Sequence, residues 1–383
     1  MTDGQDVGDP AGLTPPRRRI QIASPKLIGN ERKYVDDCLD TGWISSVGSY
    51  VERFETAFTK VAGTTYAASC SNGTVAIHLA LLALNIGPGD EVIVPTLTYV
   101  ASANAVVYCG ATPVFVDSEA DTMNLDPAAV ERAITDRTKA VVAVHLYGHP
   151  ADMHALQAIC APRGIRIVED AAEAHGASIN GARVGSLGDI ATFSFFGDKI
   201  LTTGEGGMVT TNDPELDRIV RLFKGQGQDP QRRYWFPVVG YNYRMTNIAA
   251  AIGLAQVESI DTHLADRRRV AAWYDQHLVS LTDRLQLPID RPGCDNVRWL
   301  YTVVLREGVP TSRDKLLQLL ADDGIETRPV FYPMHHMPPY RDADASMPIA
   351  DRLSANGLNL PTHGYLTEAD VVYICERLAN HVV

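Results

Sequence analysis

Phe193-Ser194-Phe195-Phe196-Gly197-Asp198-Lys199, with Thr203-Gly204-Glu205-Gly206-Gly207 just beyond it, is the stretch on which the reading of this 383-residue chain turns. A short apolar, β-prone segment runs into a lysine, and a glycine-rich turn follows. A lysine at a strand end among aromatics is partly dry. Desolvation disfavours the ammonium and frees an amine nucleophile. That is the chemistry of a Schiff-base lysine, with Lys199 as the candidate. Read alone, such a lysine is most often a solvated surface charge, so the neighbouring segments decide.

Outward from that stretch, residues 50–225 alternate helical and strand patterns. Segments 91–95, 112–117, 139–146, 165–168, 190–196 and 207–211 read as strands. Helices are expected over 75–84, from the cap Asp126 to 134, and from Asp152 to the stop at Gly164. Apolar strands spaced by helices predict a mostly parallel sheet covered on both faces. After Arg244 the pattern changes. Residues 248–278 read as one or two linking helices. Beyond them, strands (299–305, 326–331) mix with helices (313–323, 368–381), and the Pro-rich 329–339 is a loop. The expected organisation is α/β: a disordered tail over 1–19, a large domain over 20–250, then a linking helix and a smaller α+β domain over 251–383.

Composition bounds the function. Hydrophobic residues are 45% and charged residues 21%, as in ordinary globular proteins. A net charge of -12 argues against general nucleic-acid binding, although local basic groups and helix N-termini still bind phosphate. Cys38, Cys70, Cys109, Cys160, Cys294 and Cys375 are scattered without a C-x-x-C pair, which suggests neither zinc nor disulfides and fits a reducing cytoplasm. The Gly-, Pro- and Arg-containing start lacks the apolar stretch of a secretory signal, and no apolar run is long enough to span a membrane.

Pyridoxal phosphate (PLP) asks four things of a protein: a lysine for its aldehyde, a carboxylate opposite its ring nitrogen, a phosphate cradle and an aromatic plate. Ser71-Asn72-Gly73-Thr74 opens a helix, where N–H groups and the dipole favour an anion; Gly73 and Thr74 are the candidates, and a plain helix cap is the ordinary alternative. Ser194 offers a hydroxyl to the same phosphate. Asp170 ends the strand Ile165-Arg166-Ile167-Val168-Glu169, where open α/β sheets bind ligands, and a pyridinium proton would pair its charge. Its alternative role is an N-cap. Glu173 stands close behind, for the ring or its 3-oxygen or simply for solvent. Tyr99 follows a strand, as a ring plate or as a core aromatic.

The order of these segments resembles the DegT/DnrJ/EryC1/StrS family of sugar aminotransferases over about residues 20–380. The matching motifs are Ser71-Asn72-Gly73-Thr74, Glu169-Asp170-Ala171-Ala172-Glu173-Ala174-His175-Gly176, residues 193–199 and 203–207, and Gly240-Tyr241-Asn242-Tyr243-Arg244-Met245-Thr246-Asn247. The resemblance implies an aspartate-aminotransferase-like fold (PLP fold type I). It implies PLP on Lys199, with Asp170 at the pyridinium, Gly73, Thr74 and Ser194 at the phosphate, Tyr99 against the ring and Glu173 nearby. It also implies a homodimer in which Asn242 reaches the neighbour's phosphate. Gly42-Trp43-Ile44-Ser45-Ser46, His145-Leu146-Tyr147-Gly148-His149-Pro150, Lys224-Gly225-Gln226-Gly227 and Glu326-Thr327-Arg328-Pro329-Val330-Phe331-Tyr332-Pro333 narrow the resemblance further. They imply GDP-4-keto-6-deoxymannose as amino acceptor, L-glutamate as donor (leaving as 2-oxoglutarate) and GDP-perosamine as product, with Arg328 and His335 at the nucleotide-sugar.

Three departures from that pattern stand out: Asp198 where Asn is usual, the segment Asn359-Leu360-Pro361-Thr362-His363-Gly364-Tyr365-Leu366, and a longer N-terminal tail. They leave open the nucleotide (GDP or dTDP), the carbon aminated (C3 or C4) and the pathway, with a cyclitol as another acceptor. Arg232-Arg233 reads as a solvated pair. His335-His336 is a poor metal site on its own, so no metal is expected. The turn at 204–207 lacks the strand-then-helix setting of a nucleotide fingerprint, which counts against a nicotinamide dehydrogenase. A PLP-dependent dehydratase is disfavoured because the family's dehydratases carry histidine in place of the lysine. A non-catalytic binding regulator is the remaining alternative.

Overall fold

The structure, a computed structural model, describes residues 19–382; of the tail expected over 1–19, all but Arg19 lies outside the described residues. Among the described residues the strands run, in chain order, β1 (Tyr66–Cys70), β2 (Glu91–Pro95), β3 (Thr112–Val116), β4 (Thr138–Val144), β5 (Arg166–Asp170), β6 (Ser178–Ile179), β7 (Ala182–Arg183), β8 (Ile190–Ser194), β9 (Gly207–Thr211), β10 (Leu285–Gln286), β11 (Cys294–Asp295), β12 (Tyr301–Leu305), β13 (Arg328–Pro329) and β14 (Gly357–Leu360). The α-helices are α1 (Glu31–Thr41), α2 (Ser49–Ala62), α3 (Gly73–Ala83), α4 (Ala101–Tyr108), α5 (Pro127–Ala133), α6 (Met153–Cys160), α7 (Pro214–Lys224), α8 (Asn247–Glu258), α9 (Ile260–Leu278), α10 (Arg313–Asp322), α11 (Pro348–Asn356) and α12 (Glu368–Val382).

Seven strands form the main sheet in the order β1-β9-β8-β5-β4-β2-β3. Neighbours are parallel except at β9, which runs antiparallel to both β1 and β8. The reason is in the sequence. β2, β8 and β9 are buried at every position and β4 at all but Lys139, so these strands carry apolar residues on both faces and need cover on both. Helices supply it. Asp126 and Asp152 cap α5 and α6 as read, their carboxylates accepting from Ala128 and Ala155 N–H. The carboxyl ends of β1, β2, β4, β5 and β8 open on one edge, the usual ligand edge of such a sheet.

A second, antiparallel sheet of order β10-β12-β14-β13 builds its own core. Tyr274, Tyr301, Leu316, Leu358, Ile374 and Leu378 are buried there between the sheet and α9, α10 and α12. The helical run after Arg244 breaks near Ser259 into α8, which packs on α1 and α2, and α9, whose second half enters the small core. Several expected strands are shorter than read: 112–117 ends at Val116, 139–146 at Val144 and 190–196 at Ser194, and two beyond residue 298 lose residues as well. Segment 326–331 pairs only at Arg328–Pro329, because Pro329 has no N–H to give a ladder. Segment 299–305 starts pairing at Tyr301, because Trp299 N–H is taken by Tyr147 C=O and Arg298 turns the chain at φ 52°. No helix among the described residues is long and apolar enough to cross a membrane.

Candidate active site

Aromatic packing fixes the lysine loop. Phe193 and Phe195 are fully buried, and their rings meet Phe58 edge-on at 4.8 and 5.3 Å. Phe195 N–H donates to Gly206 C=O, and Thr203 N–H donates back to Phe195 C=O, so residues 195–206 fold against β9. Lys199 is thereby brought into a cavity of about 710 Å³ at the carboxyl edge. Its Nζ lies 3.5 Å from Glu173 Oε1 and 3.6 Å from the centroid of the Trp299 ring, a cation–π arrangement. The Trp299 indole N–H donates to Asp198 C=O at 2.8 Å, which locks this wall to the lysine turn.

Asp170 ends β5 inside the same cavity, with only 6% of its surface exposed. Ser102 Oγ donates to Oδ2 at 2.7 Å and Ala172 N–H to Oδ1 at 3.3 Å. Burial raises its pKa, and these donors and the Lys199 charge oppose the rise. Glu173 accepts from Tyr147 N–H at 2.7 Å; burial pushes it up to about 7 against the pull of Lys199. Glu169, next to Asp170, does structural work on the other side of the strand. It accepts from His145 Nε2 and from the N–H groups of Gly185, Leu187 and Gly188. Ala151 N–H donates to His145 Nδ1, so His145 carries its proton on Nε2.

The third wall is the start of α3. Asn72 Oδ1 caps Val75 N–H, and the helical pattern leaves the N–H groups of Gly73 and Thr74 without intrahelical acceptors. Close packing demands glycine: a Cβ at Gly73 would lie 2.7 Å from Ser194 Cβ, and one at Gly207 would lie 2.3 Å from Asn72 C=O. Gly73, Thr74, Tyr99, Asp170, Glu173, Ser194 and Lys199 thus line one cavity. Tyr99 is half exposed at its mouth, 5.9 Å from Phe331, and Tyr147 stacks between Phe331 and Trp299.

The remaining candidates fall differently. Arg328 lines the cavity and donates from Nη1 to Asp198 Oδ2 at 2.7 Å. His335 is not brought to the cavity lining. It is 1% exposed, with Nδ1 2.8 Å from Thr96 Oγ1 and Nε2 3.2 Å from Asp351. His336 Nε2 hydrogen-bonds the same Asp351 oxygen at 2.7 Å, so both imidazoles lie against one carboxylate, with His335 Nε2 close to it but not hydrogen-bonded. Asn242 is exposed and outside the cavity, bridged to Gly225. A separate cavity of about 620 Å³ holds Glu55, Arg221 and Lys224, whose charges pair with one another. The sequence reading missed Trp299 and Ser102, which come to the site from residues far along the chain; a buried carboxylate's need for a donor was the one available pointer to Ser102.

The arrangement defines a class: an α/β fold with a lysine amine, a buried carboxylate and an anion cradle converging at the sheet's carboxyl edge, as in PLP fold type I enzymes. The chain belongs to the DegT/DnrJ/EryC1/StrS aminotransferase family, whose sequence profile matches residues 25–379. It is similar to the GDP-perosamine synthase of Caulobacter vibrioides, with 57% identity over 366 residues, covering 95% of this chain and 99% of that one. Among solved structures it is similar to Spr1654 from Streptococcus pneumoniae in its PLP form (TM-score 0.89, 30% identity, 95% and 99% covered). It is similar also to DesI in the presence of its TDP-sugar product (TM-score 0.88, 33% identity, 94% and 92% covered). The protein is a sugar aminotransferase.

Proposed function

We propose that this enzyme transfers the amino group of L-glutamate to GDP-4-keto-6-deoxymannose, using PLP held by Lys199 and giving GDP-perosamine and 2-oxoglutarate. The observation that carries the reading is the convergence of Lys199, Asp170 and the glycine-opened start of α3 in one cavity. These residues fit PLP. The start of α3 and Ser194 would hold the phosphate, Asp170 would pair with the ring nitrogen, Tyr99 would cover the ring, and Glu173 would stand beside it near Lys199. When bound, PLP supplies an aldehyde for amines and a protonated ring that accepts an electron pair from the substrate carbon.

The chain's own groups do the rest. Asp170, still supported by Ser102 and Ala172, holds a proton at the ring nitrogen by charge-assisted hydrogen bonding. The Lys199 amine, once released by the incoming amino acid, would take the proton from the donor Cα as general base and deliver it as general acid to the cofactor carbon that bore the aldehyde, so that the donor leaves as its 2-oxo acid and the nitrogen stays behind. Trp299 and Glu173 restrict where that amine can swing. Arg328 faces the anionic part of the substrate. The exposure of Asn242 outside its own cavity supports its service to a second copy in a homodimer. Residues 20–250 are the cofactor-binding domain and 251–383 the linking helix and small domain in this reading.

The test is a pair of half-reactions. L-Glutamate bleaches the yellow holoenzyme, and GDP-4-keto-6-deoxymannose restores the colour while gaining an amine. A panel including dTDP-linked and 3-keto sugars sets the acceptor; recovery with a dTDP sugar alone refutes the GDP assignment.

A further inference from the structure

The cavity's acidic side chains outnumber its basic ones: Asp170, Glu173, Asp198 and Glu205 against Lys199 and Arg328. Lys199 is largely buried between Glu173 and the Trp299 face. Arg328 is the cation turned towards solvent, its side chain 42% exposed against 12% for Lys199. Its one side-chain hydrogen bond among the described residues is from Nη1 to Asp198 Oδ2 at 2.7 Å. That leaves the Nε–Nη2 edge, a geometry suited to gripping an oxyanion with two parallel bonds. Asp198 cannot drift away from the guanidinium freely. Its backbone carbonyl is tied to the Trp299 indole, and its carboxylate is mostly covered, 17% exposed.

We infer that Asp198 is a specificity-determining residue: its carboxylate weakens and selects the hold of Arg328 on oxyanions. The ligand class is a carboxylate or phosphoryl group, from the amino donor or from the nucleotide-sugar. Either anion, once gripped by Arg328, sits beside a fixed negative charge. That charge penalises ligands with a single weak contact and lets a bound anion leave between the two halves of a cycle in which donor and acceptor take turns in one cavity. The inference rests on the proposed function, because it assumes that anionic substrates enter this cavity.

The test is calorimetric titration of the PLP-loaded enzyme with two unreactive probes, glutarate for the donor and GDP for the acceptor. Wild type, Asp198→Asn, Arg328→Gln and the double variant are compared. Asp198→Asn keeps an amide oxygen for Nη1 and removes only the charge. It is expected to tighten at least one probe about three- to fivefold, the range for a partly exposed pair. Arg328→Gln weakens the same probe and abolishes the gain in the double variant. Tightening of glutarate alone assigns Arg328 to the donor carboxylate, of GDP alone to the phosphoryl groups, and of both to each in turn. Unchanged or weaker binding of both probes by Asp198→Asn, or an equal gain in the Arg328→Gln background, overturns the inference. The wild-type half-reactions are scored separately. If glutamate still bleaches the chromophore while Asp198→Asn binds as wild type does, the assignment of Asp198 falls and the proposed function stands.

Discussion

Replacing Gly73 with alanine adds one methyl group where the structure has no room. The new Cβ would meet Ser194 Cβ at 2.7 Å, Oγ at 3.0 Å and Cα at 3.3 Å. Ordinary carbon contacts lie near 3.5–4.0 Å, so a shift on the order of 1 Å is required. Neither side yields cheaply. Ser194 is laddered to Gly207, and Gly207 is itself pressed against the Asn72 carbonyl. Helix propensity acts the other way, since alanine is favoured over glycine by up to about 1 kcal/mol. Overpacking costs about 1–3 kcal/mol, so the clash wins or at least cancels the gain. Any opening between α3 and β8 moves the N–H groups of Gly73 and Thr74 away from Ser194, and PLP affinity falls by about five- to a hundredfold. The assay is absorbance titration of the apoprotein with PLP, with thermal unfolding followed in parallel. Ser194→Gly in the Gly73→Ala background removes the two nearest obstructing atoms and recovers stability relative to Gly73→Ala, while the share of PLP affinity that the Ser194 hydroxyl supplies stays lost. A Gly73→Ala protein that binds PLP as wild type does and melts higher refutes the cradle.

Three further outcomes follow from the buried carboxylates. Glu55→Gln leaves Lys224 buried without its anion and costs roughly 3 kcal/mol at pH 7 in urea unfolding. Burial pushes Glu55 up, but Lys224 and Arg221 outweigh it and hold it at about 2 against 4.5 unfolded; its stabilisation is full above 4.5 and is lost as pH falls towards 2, so variant and wild type converge in acid. Glu173 has the opposite sign. Its folded pKa of about 7 makes the apoprotein lose up to roughly 3 kcal/mol as pH rises from 4.5 through 7, and Glu173→Gln flattens that slope; parallel slopes between pH 5 and 8 contradict this origin. Ser102→Ala removes the 2.7 Å donor to Asp170, a charge-assisted bond of about 1.5–3 kcal/mol, and moves the acid limb of the glutamate half-reaction to higher pH; an unmoved limb excludes Ser102 as its support.

Much of the main sheet was legible because its strands are continuous apolar runs between capped helices. β2 keeps the bounds 91–95 and β9 the bounds 207–211 that the pattern indicates. Asp170 and Lys199 were legible for a related reason: a carboxylate at the end of a buried strand, or an ammonium in the aromatic-flanked turn just beyond one, needs a partner. Trp299 was not, because nothing local in residues 296–300 shows that Arg298 reverses the chain and that Tyr147 takes the Trp299 N–H. Ser102 reads as an ordinary first-turn helix serine until β5 places Asp170 beside it. His335 sits in a Pro-rich loop whose burial against Thr96 is a tertiary event with no sequence period. α7 was legible in principle. Asp213 caps it, Pro214 opens it, and Leu216 and Val220 are buried at helical spacing.

The proposed reaction depends on the Lys199 amine carrying PLP. Borohydride reduction of the holoenzyme, followed by proteolysis and mass mapping, tests it directly. A pyridoxyl group on the peptide containing Lys199 and none elsewhere is the expected result; an unmodified Lys199, or label on a different lysine, contradicts the assignment.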